Sequence, residues 1–137
     1  MKLLDLIRLV PVLAVLWAGC RSARLLSNAE IPASQNIKDV MWTQAELADP
    51  AFKKISAPIY TDADWVALIA TGKRLQISSA KIKRDFSKGP DWNALADHLS
   101  NGASGLTTAA EARDGKAVTA ALIATRNSCR ACHKQFK

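Results

Sequence analysis

This 137-residue sequence predicts an all-α fold, an antiparallel up-down-up-down four-helix bundle. Three observations carry that expectation. Apolar residues recur in alternating steps of three and four through four separate stretches. No period-two alternation of any length marks a strand. The stretches are divided by short turns built on Pro and Gly, and short connections place consecutive helices antiparallel.

Before the helices, Met1 to Ala18 reads as an export signal. Lys2 and Arg8 lie near its start, followed by an apolar run from Leu9 to Trp17. That run falls short of the roughly 20 apolar residues a membrane span needs, and it contains Pro11. It ends Leu16-Trp17-Ala18-Gly19-Cys20. Ala-Gly-Cys resembles the lipobox of bacterial lipoproteins, in which the cysteine is lipidated and becomes the new N-terminus. Trp17 departs from the leucine usual at its position, and Asp5 is unusual in a signal. Lipidation of Cys20, with a membrane tether, and ordinary cleavage both stay open. The chain thus divides into a signal over 1–20, a tether or ordered arm over 21–33, and a helical domain over 34–137. Without the signal, the 19 basic and 12 acidic residues lose Lys2, Arg8 and Asp5, which leaves a net charge of +6. Such an excess steers association toward an acidic protein surface. No basic run with interleaved aromatics points to nucleic acid.

The first helix opens at Ser34 or Asn36, both good N-caps, and runs to about Ala48. Its inner face carries Ile37, Val40, Met41, Gln44, Ala45 and Ala48. Pro50 is expected to bend or briefly break it, with a helical continuation over 51–56 before Pro58. The second helix spans Thr61 or Asp62 to about Phe86. Trp65, Leu68, Gly72, Leu75, Ser79, Ile82 and Phe86 form its seam, and Lys73, Lys81, Lys83 and Arg84 its solvent side. After Lys88-Gly89-Pro90, the third helix is predicted from Trp92, Leu95, Leu99, Ala103, Leu106 and Ala110. Gly102 and Gly105 either weaken it or admit a close neighbour. Asp114-Gly115 ends it. The fourth helix seams Val118, Leu122, Thr125, Cys129, Cys132 and Phe136.

The chemistry sits at its end. Cys129-Arg130-Ala131-Cys132-His133 is C-x-x-C-H, the attachment signature of c-type haem. Two thiols three residues apart lie on one face of a helix, where each can form a thioether to a haem vinyl group. The adjacent His133 is then placed to bind iron. A disulfide fits poorly, because residues so spaced on a helix hold their Cβ atoms about 5–6 Å apart. Zinc lacks a fourth ligand, since the remaining histidine, His98, lies far upstream. One covalent haem c is the leading reading, with zinc or a redox dithiol the alternatives. The motif ends the fourth helix, so the haem belongs at one end of the bundle. Connectivity puts that end near Met41, near Ile82 and Phe86, and near Trp92 and Leu95.

These residues resemble the class II c-type cytochromes, the cytochrome c′ family and its low-spin relatives. The resemblance rests on Ser128-Cys129-Arg130-Ala131-Cys132-His133-Lys134-Gln135-Phe136 and on Ile37-Lys38-Asp39-Val40-Met41. Asp91-Trp92 and the region of Trp65 add to it, so that it covers about 34–137. It implies a four-helix haem bundle, with a methionine of the first helix opposite the histidine in low-spin members. Met41 stands at that position as the sixth ligand, although a core methionine filling a gap is the plainer reading. Five-coordinate members instead bind NO or CO at an open iron face. The resemblance further implies pairing of two copies through the first two helices, with Trp42 as a contact. His98 falls at the margin of the third helix, as an exposed residue, a propionate partner or a second histidine ligand. Arg126, Arg130, Lys134 and Lys137 are candidates to pair with propionates. The family often has Arg four residues after the haem histidine; here Lys137 offers a point charge instead of a fork.

No acid–base pair, nucleophile or phosphate loop marks an enzyme. The expected function is therefore a periplasmic one-electron carrier, with an NO- or CO-binding haem protein as the alternative.

Overall fold

Four helices account for most of residues 24–137, which a computed structural model describes. The export signal, Cys20 and the start of the arm lie outside the described residues. The helices are α1 (Ile37–Phe52), α2 (Asp62–Asp85), α3 (Pro90–Glu111) and α4 (Gly115–Phe136), with no strand among the described residues. Each helix packs only on its two neighbours around a square, α1 on α2, α2 on α3, α3 on α4 and α4 back on α1. With these short connections that contact pattern is the up-down-up-down bundle. No helix among the described residues is long and apolar enough to cross a membrane.

The boundaries follow local chemistry. Asn36 caps α1, its side chain accepting from the Lys38 N–H at 3.0 Å. The break expected at Pro50 is absent, because α1 runs through it to Phe52. Pro50 and Glu46, whose carbonyl loses its partner, are both exposed residues, so the missing bond falls on the solvent side of α1. Gly89 takes φ +111°, a conformation open to glycine, and turns the chain sharply into Pro90 at the first turn of α3. Close helix approach explains two other glycines. A Cβ on Gly72 would lie 2.8 Å from the Ala103 carbonyl oxygen, and one on Gly102 would lie 2.8 Å from Thr125 Oγ1.

A reciprocal capping box starts α2. Thr61 Oγ1 accepts from the Asp64 N–H at 3.2 Å, and Asp64 accepts from the Thr61 N–H at 2.9 Å. Lys54, whose ammonium lies 2.8 Å from the carboxylate, and then Thr61 hold the Asp64 carboxyl down at about 2. A depressed folded value means that this contribution is complete above the ordinary value of 3.8 and is lost as pH falls through about 2. Urea midpoints of the wild type should therefore fall more steeply than those of Asp64→Asn between about pH 5 and pH 2. Equal slopes would contradict the assignment.

Two apolar clusters fill the bundle. One, remote from the haem motif, joins Trp65 and Leu68 to Leu106, Ala110, Val118 and Leu122. The other joins Leu26, Ile31, Val40, Ile82, Trp92, Ala96 and Leu99, with Met41, Cys129, Cys132 and Phe136 packed against it. Polar pairs mark the level between them, among them Gln44 to the Ser78 hydroxyl at 2.9 Å. Leu95 is half-buried, and Ala96 takes the core position beside it. Lys81 corrects the expected solvent side of α2. It is buried at 1 % exposure because residues 24–33 fold over it, an arrangement that α2 periodicity alone does not reveal.

Candidate haem site

Cys129 and Cys132 lie one turn apart on α4, half-buried and not joined in a disulfide. Both face a cavity of about 320 Å³. Met41, Gln44, Ala48 and Phe52 of α1 form one wall, Cys129, Cys132 and His133 of α4 another, and Ile82, Leu95 and Leu99 the floor. Room remains there because α1 and α4 meet over only a short stretch. An adjoining groove, bounded by Lys38, Trp42, Lys88, Trp92 and Phe136, shares Met41, Cys132 and His133 with the cavity. Met41 and His133 thus come to one space from different helices.

The surroundings keep both thiols protonated. Burial, and then the neighbouring Cys132, pushes the Cys129 thiol up to about 11. Burial also raises Cys132, with Lys88 opposing it.

The residues fit a haem. The cavity is walled mainly by apolar side chains and opens on the two thiols and the imidazole. Its wall also holds Arg126, whose Nε is buried with no hydrogen-bond partner, the donor that a carboxylate requires. Arg130 lines the same cavity but is exposed, as are Lys134 and Lys137, and Lys137 borders the groove. Spacing along the chain offered these four cations as equals, and burial singles out Arg126.

The other candidates fall apart from this space. His98 is exposed on an outer groove between α3 and α4, with Asn101, Ala124 and Asn127. Trp42 is 47 % exposed beside the adjoining groove. Sequence reasoning missed Lys88, whose ammonium lies 5.1 Å from the centre of the Trp92 ring and 6.0 Å from that of Phe136. Its position in the turn before α3 gave no periodic signal. It also passed over Asp49 and Phe52 of the cavity wall, which lie beyond the expected end of the first helix.

Residues 61–137, more than half of the chain, match the family model described as Cytochrome C'. Comparisons with curated proteins and with solved structures gave no match.

Proposed function

Since the chain belongs to the cytochrome c′ family, we propose that it is a periplasmic one-electron carrier holding one haem c on Cys129 and Cys132, with His133 and Met41 as axial ligands. Proteins of this family bind covalent c-type haem and are typically periplasmic in bacteria. The observation that carries the finer reading is the placement of Met41, which lines the cavity from α1 while His133 lines it from α4. Apart from Met1 the sequence has no other methionine. The bound haem supplies an iron that cycles between its ferric and ferrous states. A thioether from Met41 favours the ferrous state and raises the potential. With Met41 and His133 both holding the iron, the ligand set would change little between states, which would suit outer-sphere electron transfer.

Lys38, Lys88 and Lys137 border the groove beside Cys132 and His133. They support brief, salt-sensitive docking of a partner with an acidic surface. In this reading the protein is a carrier and not an enzyme.

The ferric holoprotein should show a low-spin optical spectrum with the weak near-infrared methionine-to-iron charge-transfer band, and Met41→Ala should abolish the band. A high-spin wild type, unchanged by the substitution, would make the five-coordinate gas-binding reading the better one.

A further inference from the structure

The helix that carries Met41 has little holding it on the α4 side, where the cavity lies, so its position must be set from behind. Residues 24–33 do this. The Leu26 N–H donates to buried Thr43 Oγ1 at 2.9 Å, and the Arg24 N–H donates to Asp39 Oδ1 at 3.2 Å, four residues earlier on the same face of α1. Leu26 and Ile31, 3 % and 0 % exposed, pack with Val40, the residue next to Met41. On the other side the arm is fastened to α2. Arg74 Nε donates to Asn28 Oδ1, and Lys81 Nζ donates to the Pro32 carbonyl at 2.8 Å. The Lys81 ammonium also pairs with the Asp85 carboxylate and lies 5.6 Å from the centre of the Phe86 ring.

A lysine is seldom buried, because desolvating its charge is costly and few neighbours repay it. Lys81 has found three: a carbonyl of the arm, a carboxylate and an aromatic face. The backbone carbonyl is the one that matters for position, since it ties a segment distant in sequence to the last turns of α2. No residue of the cavity wall is involved. Neither the electron carrier as described above nor the packing of α2 on α3 requires this buried cation.

We propose that Lys81 and Thr43 are positioning residues that clamp the arm across α1 and α2 and so hold Met41 within reach of the haem iron. The proposal rests on the reading of Met41 as a ligand. Release of the clamp lets α1 move away from α4, and the population with Met41 detached rises by the free energy lost from the clamp. A small external ligand reaches the iron only in that detached state, so its binding rate reports the population directly.

The test uses holoprotein carrying Lys81→Met, which keeps the volume and removes the nearer of two donors to the Pro32 carbonyl, leaving Arg84 Nη2 at 3.4 Å, and separately Thr43→Val, which removes the acceptor for Leu26. Loss of a hydrogen bond from a charged donor should speed CO association to the reduced protein about tenfold in Lys81→Met, and less in Thr43→Val. The near-infrared band of the ferric protein should weaken in parallel and the midpoint potential should fall. A merely structural role would lower the unfolding midpoint and leave all three unchanged. Wild-type CO rates, band and potential in both variants, with Met41→Ala altering all three, would overturn the clamp and leave Met41 ligation standing. If Met41→Ala is also silent, the ligation reading fails and the clamp falls with it.

Discussion

Serine at both Cys129 and Cys132 is expected to convert a haem that resists acid–acetone extraction into one that is removed completely. In the proposed attachment each thiol would add across a vinyl group, sulfur to one carbon and hydrogen to the other, and serine hydroxyls do not undergo this addition under the same conditions. The single substitutions should differ from the double one. Cys129 is the more deeply set of the two on the cavity wall, with its thiol pushed up to about 11, whereas Lys88 works against the rise at Cys132. Both single variants should retain one thioether, visible as a shifted pyridine haemochrome band, and only the double variant should yield free haem. Mass spectrometry of intact protein checks this through the presence or loss of the haem mass. A double variant that keeps that mass would remove these cysteines from the site.

Trp92→Ala is expected to destabilise the folded protein by about 3–5 kcal/mol, the range for removing a large buried aromatic side chain. Trp92 is 3 % exposed and joins three elements at the haem end. It packs beside Ile82 of α2, meets the Phe136 ring of α4 edge-on at 5.2 Å, and lies under the Lys88 ammonium. Its Nε1 also donates to the Ile82 carbonyl at 3.1 Å, but that carbonyl accepts from the Phe86 N–H at 3.2 Å as well. Loss of the indole donor therefore leaves no orphaned acceptor, and the cost comes from the lost volume. Trp92→Phe separates the two terms. It keeps most of the ring and should cost about 1–2 kcal/mol. Urea denaturation of both holoproteins measures the difference, and near-equal losses would mean that the hydrogen bond outweighs the packing.

Much of this was legible in the sequence because it depends on local spacing. Three-four recurrence located all four helices, since a buried helical face must repeat with the turn. The C-x-x-C-H motif and the inner-face position of Met41 were legible for the same reason, as each is read from its own helix. What escaped depends on contacts between distant residues. Lys81 falls on the polar side of α2 when α2 is viewed alone, and it is buried only because Pro32 lies 49 positions away in sequence and beside it in space. Arg126 could not be distinguished from Arg130, Lys134 and Lys137 until burial left its Nε without a partner. Pro50 does not break α1, because a missing N–H is tolerated on the exposed side of a helix.

The central claim is that Met41 and His133 would together hold the haem iron, which would suit the protein to electron transfer rather than gas binding. Stopped-flow addition of CO to the reduced holoprotein, beside Met41→Ala, tests it most directly. The account predicts slow uptake in the wild type, limited by release of Met41, and fast, CO-dependent uptake in the variant. Equally fast uptake by both proteins would contradict it.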